Sequence, residues 1–217
     1  MNADGITDWE ELKQPFLFPK MKKYELKTSY RQVPTLLDMS KRIYKDSLGI
    51  EAPYSTAYER RPNEPLPIYM VSDDMDEKVR WIEHRIIEVL KTYGNKVPSI
   101  AIMVGDNVNI PELVDAMIEE DGLNGIDIFD CSGYQTHDNV NAVRIFPLSE
   151  VKGMEFEVAF FYDIDEALAG QSKDMMRRYL YVGISRATTH LAATFTKEEG
   201  NEDIIKYFDQ TKHNWKL

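Results

Sequence analysis

The chain has 217 residues, 43% of them hydrophobic, and a net charge of −11. That is enough apolar material for one domain with a real core, while no run approaches the ~18 apolar residues of a membrane-spanning helix. An acidic chain does not attract a nucleic-acid backbone through its overall field, a single cysteine excludes an internal disulfide and fits a reducing cytoplasm, and four scattered histidines lack the spacing of a zinc site.

In chain order, residues 1–25 read as an extension or docking strap, with Trp9, Phe16, Leu17 and Phe18 scattered around Pro15 and Pro19. Residues 26–217 are expected to form the domain proper. Pro34 to Tyr44 spaces Leu36, Leu37, Met39, Ile43 and Tyr44 as a helix does, with proline acceptable in its first turn. A proline-rich loop over 48–67 leads into a short strand at 67–71. The acidic start Asp73-Asp74-Met75-Asp76 then opens a helix that carries Val79, Ile82, Ile86, Ile87 and Leu90 and ends at Gly94. Ile100 to Val104 is a continuous apolar strand of the kind covered on both faces. A helix at 111–120, strands at 126–129, 142–146 and 158–162, a helix at 175–187, a strand at 190–195 and a helix at 203–208 complete the list. The 175–187 helix has apolar members on every face, which implies burial all round. Strands alternating with helices predict an α/β fold, a mostly parallel sheet with helices on both faces. In such sheets ligands sit at the carboxyl ends of the strands.

Charge is uneven. Residues 66–140 hold 15 acidic and 5 basic side chains, so any nucleic-acid contact has to be local or shared with another domain. Three segments carry chemistry: Thr28-Ser29-Tyr30-Arg31, Val151-Lys152-Gly153-Met154-Glu155-Phe156, and Arg178-Tyr179-Leu180-Tyr181-Val182-Gly183-Ile184-Ser185-Arg186-Ala187. Guanidinium groups match phosphate oxygens and stay charged at any physiological pH, and an aromatic beside one of them can stack on a base. None of the 11 glycines is followed by lysine, so the Gly-Lys-Ser/Thr end of a phosphate-cradling loop is missing from this sequence. Read singly, each segment has an ordinary explanation: a surface pair, a tight glycine turn, a helix-capping arginine. Lys22, Lys23 and Lys27 read as a solvated face, and Cys131 as an inert thiol.

In this order, the three segments resemble the fourth, fifth and sixth motifs of the carboxy-terminal RecA-like domain of UvrD/Rep-type superfamily 1 DNA helicases. Ser29 and Gln32 stand where that family usually has Asn and Ser. The resemblance implies the second motor domain of an ATP-dependent helicase or translocase, inactive alone. Its ATP and Mg²⁺ would be held mainly by an N-terminal RecA-like domain with Walker motifs, and it would act on single-stranded or partially duplex DNA, as in DNA repair. It further implies that Tyr30 stacks on adenine, that Arg31 and Arg186 reach the γ-phosphate as catalytic groups, and that Gly153 and Glu155 shape the nucleotide side. Lys152, Ser149 and Asn107 fall where DNA contacts are expected, although Ser149 replaces a usual histidine and Val104-Gly105-Asp106-Asn107 lacks a usual arginine. Lys152 follows Arg31 by only 121 positions, which leaves no room for a large accessory subdomain. These departures lean toward the HelD-like branch, whose members act on RNA polymerase. The competing reading is a non-motor module docking on a protein such as RNA polymerase. A free-standing small-molecule enzyme is a third, disfavoured because no nucleophile–base pair is visible.

Overall fold

The computed structural model describes residues 24–94, 96–120, 122–135 and 139–215. The proposed strap and the pair Lys22-Lys23 lie almost wholly outside the described residues. The elements are β1 (Thr28–Ser29), α1 (Pro34–Leu48), β2 (Ser55–Thr56), β3 (Ile68–Val71), α2 (Met75–Thr92), β4 (Ile100–Val104), α3 (Ile110–Glu120), β5 (Asp127–Asp130), β6 (Ala142–Pro147), β7 (Phe156–Phe161), α4 (Ile164–Ala167), α5 (Lys173–Ile184), β8 (Ala187–Phe195) and α6 (Glu202–Ile205). Strands β3 to β8 form one sheet in the order β3-β8-β7-β4-β6-β5, every neighbouring pair parallel. β1 and β2 form a separate two-stranded parallel ribbon.

The sheet is covered on both faces, and side-chain alternation divides the core. Ala101, Met103, Ala159, Phe161, Leu191, Ala193 and Phe195 face α1 and α5, where Leu36, Met39, Ile43, Leu180 and Ile184 close over them. Ile100, Ile102, Val104, Val158, Phe160 and Ala192 face α2 and α3. Successive residues of one strand thus serve opposite layers, which is why β4 is apolar throughout and buried throughout. This is a RecA-like α/β arrangement. Helix ends follow their sequence signals: the Asp74 carboxylate accepts from the Glu77 amide at 2.9 Å, and Gly49 closes α1 at φ 70°. No helix among the described residues is long and apolar enough to cross a membrane.

Two expectations are corrected. The helix expected over 175–187 runs Lys173–Ile184, and only Leu180, Gly183 and Ile184 of it are buried; its tyrosines, methionines and Val182 are half-exposed. Ala187 already belongs to β8, three residues before the expected strand start. The helix stops because Ser185 turns its hydroxyl back onto the Val182 carbonyl at 2.7 Å, and the Arg186 amide closes on Gly183.

Two buried polar features stand apart from this apolar packing. Lys78 Nζ meets Asp163 Oδ2 at 2.6 Å with both side chains nearly sealed from solvent. Burial pushes the Asp163 carboxyl up, opposed by the Lys78 ammonium and the Thr194 hydroxyl. Asp163 also holds the left-handed region at φ 47°, unusual for a residue other than glycine. His190, 2% exposed, packs edge-on against Trp215 with ring centroids 4.8 Å apart. Neither of its ring nitrogens has a hydrogen-bond partner, and burial lowers its pKa from 6.5 to about 4.

A folded-state pKa below the unfolded value means that the unfolded chain binds more protons between those two pKa values. Stability from this site is therefore complete above about pH 6.5 and is lost as pH falls toward about 4. The loss is on the order of 3 kcal/mol at ~1.4 kcal/mol per pKa unit. Urea denaturation at pH 7 and pH 4.5 should show His190→Phe flattening this part of the pH dependence; an unchanged slope would contradict the burial of a neutral imidazole.

Candidate nucleotide-facing edge

Arg186 sits at the corner between α5 and β8, not on the helix itself, and that corner is tied on two sides. On one, Phe156 N donates to the Arg186 carbonyl at 2.8 Å, and Arg186 Nη1 donates to the Met154 carbonyl at 3.1 Å. On the other, the buried Gln32 side chain donates from one nitrogen to the Ile184 carbonyl at 2.9 Å and the Ala187 carbonyl at 3.0 Å. Val33 N adds a bond to the Thr188 carbonyl at 2.9 Å. Gln32 thus straddles Arg186 and brings Arg31, its neighbour in sequence, to the same corner. Gly183 allows α5 to seat this closely, because a β-carbon there would lie 2.3 Å from the Phe161 ring.

The outcome is a compact cluster. The Arg31 guanidinium forms an ion pair with the Glu155 carboxylate and lies 3.5 Å from the Ser185 carbonyl. Arg186 directs Nε to the Val182 carbonyl at 3.1 Å and Nη2 to the Ser185 hydroxyl at 2.7 Å. Its pKa is lowered, chiefly by partial burial and next by the Arg31 charge, with Glu155 opposing. Two like charges brought together, with one carboxylate between them, form a site of net positive potential ready for an anion. Beside it Tyr30 projects into solvent at 73% exposure. The ribbon of β1 and β2 holds it there, and Tyr58 Oη donates to the Tyr30 carbonyl at 2.6 Å.

The remaining expected residues are distributed along one segment. Gly153 takes φ 90° in a turn closed by Met154 N on the Val151 carbonyl at 3.1 Å, a conformation that favours glycine. Lys152 is exposed on the same turn. Ser149 and Asn107 lie elsewhere. Both follow the carboxyl ends of strands, β6 and β4, where Ser149 Oγ donates to Asp106 Oδ1 at 2.9 Å. Glu155 and Arg186 instead precede β7 and β8, so the guanidinium cluster occupies the amino ends of the parallel strands. The general expectation for ligands at carboxyl ends does not describe this cluster. Residues 148–155 cross from one end of the sheet to the other and connect the two groups.

Gln32 was visible in the sequence only as a departure from the family pattern. Nothing local marks it as the tie between two segments more than 150 residues apart.

Residues 142–194 match the family model of the UvrD-like helicase C-terminal domain. That span runs from β6 through β8 and includes both the crossover and the Arg186 corner. The fold is similar to the crystal structure of the C-terminal domain of a possible DNA helicase from Lactobacillus plantarum WCFS1, at 18% sequence identity and a TM-score of 0.53, covering 77% of this chain and 88% of that one. Comparison with curated proteins gives no match. The chain therefore has a RecA-like fold, and its residues 142–194 match the model of the UvrD-like helicase C-terminal domain.

Gln32→Ala removes the donor from two carbonyls at a buried corner, which should cost about 1–3 kcal/mol. Guanidinium-chloride denaturation measures this; a loss below ~0.5 kcal/mol would show that the corner does not depend on Gln32.

Proposed function

We propose that the chain is the second RecA-like lobe of an ATP-driven DNA helicase or translocase. It would complete a nucleotide site whose phosphate-cradling loop lies on a partner lobe. The observation that carries this reading is the juxtaposition of Arg31, Glu155 and Arg186 at one sheet edge beside an exposed tyrosine. Two guanidinium groups and one aromatic ring fit the outer phosphate and the base of ATP. Among the described residues no group of three or more His, Cys, Asp or Glu side chains could hold a metal ion. Mg²⁺ would accompany the ATP phosphates and be held mainly by the partner lobe.

ATP supplies the phosphoryl group that is transferred to water. Tyr30 offers a stacking face to the base. Arg186, fixed by three acceptors, is pre-aimed and costs little reorganisation when negative charge develops opposite it. Arg31 is held in reserve by Glu155, an ion pair open to solvent and therefore weak. A phosphate oxygen arriving across the cleft competes with that carboxylate for Arg31, which couples nucleotide state to lobe closure. Ser149 and Asn107, with Lys152 on the crossover, would face the nucleic acid. Movement of residues 148–155 would then link the strand to the guanidinium pair.

In a protein that contains both lobes, Arg186→Ala and Arg31→Ala should each reduce DNA-stimulated ATP turnover by roughly 10³-fold or more while ATP affinity changes little. Steady-state kinetics on folded variants would decide; wild-type turnover in Arg186→Ala would end the motor reading.

A further inference from the structure

The backbone of the Arg186 corner has fasteners of its own. Ser185 N donates to the Tyr181 carbonyl at 3.0 Å, Arg186 N to the Gly183 carbonyl at 3.0 Å, and Phe156 N to the Arg186 carbonyl at 2.8 Å. None of these bonds uses the side chain of Ser185, a half-buried residue. Its hydroxyl makes a separate set of contacts, most of them to the neighbouring guanidinium.

Ser185 Oγ donates to the Val182 carbonyl at 2.7 Å. It accepts from Arg186 Nη2 at 2.7 Å and from Arg186 Nε at 3.2 Å. A hydroxyl has a single proton to give. With that proton directed at Val182, the oxygen lone pairs face Arg186. Two adjacent N–H groups on one edge of a planar guanidinium then bracket one oxygen, which sets the rotation of the plane at the end of a long side chain. The Met154 carbonyl takes Nη1 from another direction at 3.1 Å. Each terminal nitrogen carries a second N–H to offer, and such a pair matches two oxygens of a phosphate.

The chemistry of the acceptors matters as much as their placement. The Val182 and Met154 carbonyls and the Ser185 hydroxyl are uncharged, so they orient Arg186 without cancelling its charge. Arg31, by contrast, meets the Glu155 carboxylate. Arg186 is thereby aimed and remains a full cation, as the stabilisation of charge developing on a phosphoryl oxygen requires.

We infer that Ser185 is a positioning residue of this edge: its hydroxyl holds the Arg186 guanidinium in the plane from which Nη1 and Nη2 face the outer phosphate of a nucleotide. The inference rests on the proposed function, since it needs a phosphate opposite Arg186. Ser185 transfers no proton and bonds to no reacting atom; its effect passes through Arg186.

Two measurements test it. In the chain alone, the Arg186 Nε–H resonance in heteronuclear NMR, identified by its loss in Arg186→Lys, reports whether the guanidinium is held. Its hydrogen exchange should be slow in the wild type and in Ser185→Thr, and at least roughly tenfold faster in Ser185→Ala. In a protein that contains both lobes, Ser185→Ala should lower kcat for DNA-stimulated ATP hydrolysis roughly 10- to 100-fold while KM for ATP stays within about threefold. Ser185→Thr keeps the hydroxyl and should restore turnover. Ser185→Val has the shape of that variant without the hydroxyl, so it should fail as Ser185→Ala does, and it serves in its place if thermal melts show that the alanine variant does not fold. The inference is overturned if Ser185→Ala turns over ATP within about twofold of wild type while Arg186→Ala is inactive, if Ser185→Thr is as impaired as Ser185→Val, or if Nε–H exchange is the same in every form that retains Arg186. Wild-type turnover in Arg186→Ala would sink the motor reading instead, and the exchange measurement would still decide whether Ser185 holds the guanidinium.

Discussion

The structure depends on one side-chain amide. Gln32 donates to the carbonyls of Ile184 and Ala187 and so fastens the loop before α1 to the corner between α5 and β8. Without that tie, only the Val33 amide on the Thr188 carbonyl and the solvent-open Arg31–Glu155 pair would relate the Arg31 loop to the Arg186 corner. With it, two guanidinium groups from distant parts of the chain occupy one corner, and the Met154 carbonyl and Glu155 carboxylate hold them from the other side. The cost of ordering two long charged side chains is offset by carbonyl acceptors at the end of α5, the corner after it and the turn before β7.

A division of labour along the strands follows. The guanidinium cluster lies at the amino ends of β7 and β8, and the Ser149–Asp106 pair lies at the carboxyl ends of β6 and β4. These ends are a strand length apart and are joined by residues 148–155, which run between parallel strands without an intervening helix. Val151 is buried in this crossover while its neighbours Lys152 and Gly153 are exposed. The segment is thus anchored in the middle and free at the turn, a suitable form for an element that responds at one end to events at the other.

Much of the architecture was legible because apolar periodicity was strong. β4 is five buried residues in a row, and α2 combines an acidic start, a capping Asp74 and a stripe from Val79 to Val89. The reading failed where composition hid geometry. α5 has apolar residues on every face, yet Met175, Met176, Tyr179 and Tyr181 are only half-covered, because α1 packs on one side of the helix and solvent takes the other. The early start of β8 was missed because the Ser185 hydroxyl, not a glycine or proline, ends the helix. The edge residues themselves were named through a family likeness. Periodicity could not bring Arg31 to Arg186, since the tie is a long-range bond from Gln32.

The central claim is that the loop bearing Arg31 is part of the rigid sheet edge. Hydrogen exchange at the Val33 amide, which donates to the Thr188 carbonyl at 2.9 Å, tests it most directly. The account predicts that this amide exchanges only through global unfolding, with the same protection as the central amides of β8. Rapid exchange at Val33 while β8 stays protected would mean that the loop moves independently, and the paired arginines would then have no fixed geometry.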